Sequence, residues 1–288
     1  MIHAHLPARP GTLLAPVGAG ALLACLMLWS LPAAGSAQLR PLDPLDWAAL
    51  EGEGRSVEVG SGFYTGQRAS LAGTEGRLLE MGVFAATWSL GRVALRLAGT
   101  AVRVFEDQYA FADSWGGALP FHEGRRRTDT GDHRVSTLVG LTAPGSRVGA
   151  ALRFGVRLPT TDNVQGLGRD QTDFFSSLGG RVVRDAWTVN VEVGLGVNGT
   201  RDPTHEQIDP LLFAVAARWR NDGAEPFLEL VGQHDTRAGP EPRGAENLGE
   251  ARLGIQIGDQ RWLRVTGVRG LTRMGPELGL EVRMGTGF

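Results

Sequence analysis

The amino-acid sequence predicts an all-β fold: a transmembrane up-and-down antiparallel β-barrel of about 12 strands. Three observations predict it. The chain divides into short runs in which apolar and polar residues alternate with period two, as in strands with one apolar and one polar face. The connections between the runs are mostly short and long by turns, as when short turns face the periplasm and longer loops the exterior. The mean hydropathy is only −0.09, yet the first residues read as an export signal. A barrel reconciles the two, because alternate residues meet lipid while the others meet a wet lumen.

Residues 1–37 read as a secretory signal peptide. Arg9 is the only charge before the apolar run 19–31, and Pro32-Ala33-Ala34-Gly35-Ser36-Ala37 supplies small residues for cleavage after Ala37. The run is shorter than the ~20 residues a spanning helix needs. Cys25 follows Leu22-Leu23-Ala24, a weak lipoprotein-box pattern, but apolar sequence continues past it to Trp29, which disfavours lipidation. A chain cut after Ala37 has no cysteine and needs neither disulfides nor thiol chemistry. Residues 38–53 are expected as a periplasmic N-terminal segment, a simple linker in preference to a short helix capped by Asp46 that rests against the periplasmic mouth or enters it. The barrel then occupies 54–288.

Strand-like segments follow at 54–66, 77–88, 92–105, 131–142, 147–158, 171–183, 187–198, 208–220, 227–236, 247–258, 261–272 and 276–288. In 147–158, Val148, Leu152, Phe154, Val156 and Leu158 oppose Arg147, Gly149, Arg153 and Arg157. In 187–198, Trp187, Val191, Val193, Leu195 and Val197 oppose Thr188, Asn190, Glu192 and Asn198. The mixed parity of 77–88 and 261–272 predicts bulges. The last segment sets Leu278, Leu280, Val282, Met284 and Phe288 against Glu277, Glu281 and Arg283, and is expected to pair with 54–66. Its pattern and final aromatic residue resemble the C-terminal signal of bacterial outer-membrane barrels. That resemblance makes Phe288 the candidate assembly signal and the barrel-assembly machinery an expected partner.

Short turns are expected at 89–91, 143–146, 184–186, 221–223 and 259–260. Longer connections are expected at 67–76, 106–130, 159–170, 199–207 and 237–246, while 273–275 is short and breaks the pattern. Trp88, Trp187, Trp219 and Trp262 lie beside short turns, where a periplasmic aromatic girdle belongs; parity leaves Trp88 and Trp262 open to a core position. The connection 106–130, with Trp115, Phe121 and Arg125-Arg126-Arg127, reads as a solvated loop. Folding into the lumen, or pairing with lipopolysaccharide phosphates, stays open.

Ten residues at ~3.3 Å rise and ~40° tilt cover about 25 Å. Twelve strands close to a backbone diameter of about 24 Å, leaving a passage of ~10–12 Å if nothing fills it. The polar faces assign Arg92, Arg96, Arg153, Arg157 and Glu192 to the lumen, with Arg218, Glu229, Arg252, Glu281 and Arg283. Such charges line an aqueous path or pair into a closed wall. Because Arg outnumbers Glu there, an open pore is expected to prefer anions mildly, with Arg153 and Arg157 contributing.

Other chemistry is sparse. Every one of the 29 basic residues is arginine, and the net charge of −2 gives no global footprint for nucleic acid. His122, His133, His205 and His234 lack metal-ligand spacing, so no metal or cofactor is expected. His133 and Ser136 would suit a lipid hydrolase, but three residues apart on a strand places them on opposite faces. The 42 glycines suit tight turns and crowded barrel walls, and strings such as Gly194-Leu195-Gly196 lie inside strands rather than before helices.

One stretch carries a family likeness. Gly155-Val156-Arg157-Leu158-Pro159-Thr160-Thr161-Asp162, then Gly166-Leu167-Gly168-Arg169-Asp170 and Asp173, resembles the Leu-Pro-Thr-Gly-Asp, Leu-Gly-Thr-Gly, Asp pattern of an outer-membrane barrel family. That family is associated with the meta-cleavage pathway of phenol degradation and is described as transporters. Thr161 replaces the usual glycine, and Arg169 stands where a small residue is common. The resemblance implies a barrel, transport of aromatic or hydrophobic solutes, and no catalytic residues. Pro159, Asp162, Gly166, Gly168 and Asp170 are its loop-motif residues. A folding role is preferred for them, since Pro159 ends a strand and the glycines allow an ordered turn.

The expected function is a passive outer-membrane channel or transporter for small solutes, in contact with outer-membrane lipid and lipopolysaccharide. A structural or surface-interaction barrel with a blocked lumen is the first alternative, and an outer-membrane lipid hydrolase the second. A continuous path favours the channel, interlocked Arg–Glu layers the structural barrel, and a lipid-facing Ser–His pair the hydrolase.

Overall fold

The computed structural model describes residues 39–110, 123–161, 163–168, 170–199, 207–237 and 246–288. The segment expected as a signal peptide lies outside them. Alternating sequence forms strands, and each strand pairs with its neighbours in the chain. They are β1 (Glu53–Ala69), β2 (Thr74–Leu90), β3 (Val93–Ala110), β4 (Arg126–Asp129), β5 (His133–Gly140), β6 (Val148–Leu158) and β7 (Asp173–Arg184). There follow β8 (Trp187–Gly199), β9 (Gln207–Ile208), β10 (Pro210–Trp219), β11 (Ala224–Asp235), β12 (Leu248–Ile257), β13 (Arg261–Gly270) and β14 (Leu278–Gly287). β4 and β9 are short continuations of β5 and β10 toward the long loops, so the wall is a closed barrel of 12 antiparallel strands. It closes as predicted, with Val57 of β1 opposite Thr286 of β14 and Phe63 opposite Leu280. Closure leaves no edge whose backbone groups would face lipid unpaired.

The wall is uneven in height. β1, β2 and β3 have 17, 17 and 18 residues, well beyond the ~10 that cross an apolar layer. The connections expected at 67–76 and 106–130 are therefore shorter: the β1–β2 turn is 70–73, and β3 runs on to Ala110. The reason is that Gln67, Thr74 and Asp107, which read as loop residues, are fully buried and extend the strands. Trp115 and Phe121 lie outside the described residues.

The two segments of mixed parity have different causes. In β2, Gly82 is an extra residue at φ +61, between the pairs Gly60–Val83 and Ser61–Met81. β13, by contrast, keeps an unbroken register against β12 and β14, so the bulge expected there is absent. Its parity looked mixed because Trp262 and Val268 face inward while exposed Arg261 and Arg269 face outward.

The outer surface is apolar. On β8 alone Trp187, Val191, Val193, Leu195 and Val197 are exposed side by side, which in water would be an aggregation hazard and in a bilayer is the lipid face. No helix among the described residues is long and apolar enough to cross a membrane. Trp88, Trp187 and Trp219 are exposed beside short turns, and Trp187 stacks on Trp219 at 6.1 Å and 20°. Trp262 belongs instead to the lumen, a correction to the four-tryptophan girdle.

Candidate functional site

The lumen is occupied by the chain's own residues 39–52. One short stretch reaches strands on every side, which only the interior of a closed wall permits. Arg40 meets β2, β12 and β14, Asp43 meets β12 and β14, Leu45 meets β8, Asp46 meets β3, and Glu51 meets β7. Of the positions open to it, a linker outside or entry into the barrel, the N-terminal segment takes the second over residues 39–52. Its helix is a single 3-10 turn, Ala48–Leu50, with no side-chain cap. Asp46 turns its carboxylate to Arg96 at 2.8 Å rather than to the helix.

Charge fixes the segment at several heights. Arg40 reaches Glu250 and Glu281 at 2.6 Å each and lies 4.3 Å above the Tyr64 ring centroid. Asp43 meets Arg252 at 2.7 Å and Arg283 at 3.3 Å, while Arg153 donates to its carbonyl oxygen at 2.8 Å. The Leu45 amide donates to Glu192 at 2.8 Å. Near the short turns Arg181 pairs with Glu51 and covers the Trp47 ring.

Most wall charges that hold the segment also hold each other. Glu80 pairs with Arg103 at 2.7 Å, Glu250 with Arg252 at 2.9 Å and Glu281 with Arg283 at 2.9 Å. Glu192 pairs with Arg153 at 2.6 Å, and Arg96 with Glu58 at 2.7 Å. Farther along the wall Arg218 holds Glu225 at 3.0 Å and Glu229 at 2.9 Å, and Arg157 pairs with Asp173. Arg96, Arg153, Arg157, Glu192, Arg218, Glu229, Arg252, Glu281 and Arg283 thus all face inward and are all paired.

Arg92 is the exception among the residues expected to line the lumen. It has the right parity but falls past the ends of β2 and β3, exposed in their turn. The expected anion preference also loses its basis, because Arg153 and Arg157 are neutralised by neighbouring carboxylates. Sequence reasoning missed Arg40, Asp43, Asp46, Glu58, Glu80, Arg103 and Glu250. Glu58, Glu80 and Glu250 were within reach, since each alternates with apolar neighbours.

An apolar layer closes the long-loop end. Leu39, Tyr64, Leu78, Phe105 and Leu167 form one buried cluster with Ala72 of the β1–β2 turn. Leu167 comes from the family-like loop after β6. Pro159 follows the last β6 residue, Gly166 takes φ +72 against the Ala72 backbone, and Gly168 fits against the Thr161 side chain. Asp170, at φ +52, lies in the exposed return to β7; Asp162 is outside the described residues. The Thr161 hydroxyl donates to Asp132 at 2.7 Å, and Arg127 donates to the Gln165 carbonyl at 3.2 Å. Arg127 itself is fully buried against Asp107 at 2.8 Å, whereas Arg126 is 75% exposed.

The other end is open. A cavity of about 900 Å³ extends from Asp43, Arg252 and Arg283 down past Phe227 and Trp262 to the turn residues Gly145, Gly223 and Gln260. Among the described residues the lumen is therefore a vestibule, open at the short-turn end and closed by the segment and the apolar layer above it.

No family model matches the chain, and no curated protein matches it. Solved structures do. The COG4313 outer membrane channel from Pseudomonas putida F1 matches over 86% of this chain and 100% of that one, at a TM-score of 0.61 and 14% identity. The chain shares that barrel fold. LpxR from Salmonella typhimurium (TM-score 0.43, 10% identity, 81% of this chain and 100% of that) is a looser match. So is the Ralstonia pickettii toluene transporter TbuX (TM-score 0.36, 10% identity, 83% and 91%).

The pair considered for lipid hydrolysis is split by the wall. His133 packs edge-on against Phe84 at 5.5 Å on the outer face, while Ser136 is buried on the inner one. Among the described residues no group of three or more His, Cys, Asp or Glu is placed to hold a metal.

Proposed function

We propose that this chain is an outer-membrane channel or transporter for small solutes, seen with its lumen closed by residues 39–52. The observation that carries this reading is the double partnering of the lumen charges. Removing a partner from a buried ion pair is costly because it strands a charge. Here Glu80, Glu192, Glu250 and Glu281 keep Arg103, Arg153, Arg252 and Arg283 when the segment leaves. A purely structural filling has no need of such redundancy. Glu51 and Arg181, which pair close to the start of β1, mark where the segment stays attached.

Aromatic or otherwise hydrophobic solutes are the class favoured by the likeness in 155–173, and the half-buried Trp262 offers them aromatic surface in the vestibule. The apolar layer around Leu167 favours the second reading, a barrel that stays blocked. Liposomes containing the purified barrel separate the two. The channel reading expects swelling in small sugars or aromatic alcohols above that of empty liposomes; swelling indistinguishable from empty liposomes supports the blocked barrel.

A further inference from the structure

Arg264 differs from the paired arginines of the lumen. It lies on β13 in the cavity wall, with Gln256 of β12 and Arg283 of β14 as its direct cross-strand neighbours. Its Nε and Nη2 both donate to Gln256 Oε1, at 3.2 and 2.6 Å. Among the described residues no carboxylate lies within ion-pair distance of it, and Nη1 has no hydrogen-bond acceptor. Gln256 stands in the place that Glu229 fills opposite Arg252.

The guanidinium is held in position by aromatic rings. Its Cζ lies 5.0 Å from the Trp262 centroid and 5.4 Å from that of Phe227. The rings are themselves fixed, Trp262 over Gly285 and Phe227 over Gly254, where any Cβ would collide with them. Arg218 lies over the same Phe227 ring at 5.3 Å, but Glu225 and Glu229 neutralise it.

We propose that Arg264 anchors a binding site for a small organic carboxylate, reached through the short-turn end. Arg283, directly opposite, is already paired with Glu281 and Asp43, so an incoming anion meets the uncompensated charge of Arg264. A planar guanidinium with free N–H groups matches a planar carboxylate better than it matches a spherical ion. The half-buried Trp262 ring beside it favours an acid that carries a ring. The cavity of about 900 Å³ is within the size of small-molecule sites. The site stands whether or not the barrel conducts.

The test is a titration of the full-length barrel in detergent with 4-fluorobenzoate, followed by fluorine NMR, with 4-fluorobenzamide as the neutral counterpart. The acid is expected to give a saturable shift and the amide none. Arg264→Gln should weaken binding at least about tenfold, the loss of one charge-assisted contact. Gln256→Glu should do the same while keeping Arg264, because it supplies the missing carboxylate. Native-like binding by both variants, equal response to acid and amide, or no saturation by the native protein overturns the proposal. Heat-modifiable migration reports folding, and if Arg264→Gln does not fold, Gln256→Glu decides alone.

Discussion

Arg40 and Glu250 lie 210 positions apart in the chain and meet inside the barrel through two parallel bonds, Nε to Oε1 at 2.6 Å and Nη2 to Oε2 at 2.7 Å. Glu250 is simultaneously the acceptor for Arg252 at 2.9 Å. The carboxylate therefore belongs to the wall and to the segment at once. That shared partnership lets the lumen be filled tightly without making the wall depend on the filling.

Stability should reflect this. Arg40→Ala leaves Glu250, Glu281 and Glu80 with their wall arginines, so the loss is about 1–2 kcal/mol. Arg127→Ala strands Asp107, which is fully buried and among the described residues keeps Thr74 as its side-chain partner, and should cost about 3–5 kcal/mol. Unfolding in urea, followed by loss of the heat-modifiable band, ranks the two. Equal damage would contradict the redundancy.

Selectivity should follow the wall pairs rather than a count of arginines, so the native barrel should show no anion preference. Replacing Arg153 and Arg157 with glutamine removes two positive charges and leaves Glu192 without its guanidinium partner. Fixed negative charge in a narrow passage favours cations. The reversal potential in a salt gradient should move toward the cation limit relative to the native protein; movement toward the anion limit would count against the pairing.

The bulge at Gly82 should be costly to fill. Its φ of +61 and the 2.9 Å from a built Cβ to the Ala101 Cβ leave no room for a branched side chain. Gly82→Val should destabilise by about 1–3 kcal/mol. Gly91 has φ +74 but open space around it, so Gly91→Val should cost less. Urea midpoints in the reverse order would rule the explanation out.

Membrane depth can be read from the stacked tryptophans. Trp187 and Trp219 should be quenched more by lipids brominated near the headgroup than by lipids brominated at the chain end. Replacing both with phenylalanine should remove most of that difference. No change would place the girdle elsewhere.

The wall was legible in the sequence because lipid imposes a strict rule on one face. Trp187 to Val197 alternate cleanly since every second residue meets hydrocarbon, and the pairing of 54–66 with 276–288 follows from closure. The lumen obeys no such rule. Arg92 had the parity of Arg96, but nothing local marked where the strand stopped. Trp262 was misplaced because an aromatic residue near a turn serves equally as a lipid anchor or as a lumen shelf. The glycine that makes room for it, Gly285, sits on another strand. Arg40 and Asp43 lay unremarked in a segment read as a linker and Asp46 read as a helix cap, since their partners lie up to 241 positions away.

The displaceable segment is tested most directly by single-channel conductance in planar bilayers, comparing the native barrel with the double variant Arg40→Ala, Asp43→Asn. The variant removes the pairs to Glu250, Glu281, Arg252 and Arg283 yet leaves those four residues paired with one another. The predicted result is small or infrequent openings in the native protein and larger or longer ones in the variant. A folded variant that conducts no better than the native barrel would contradict the account.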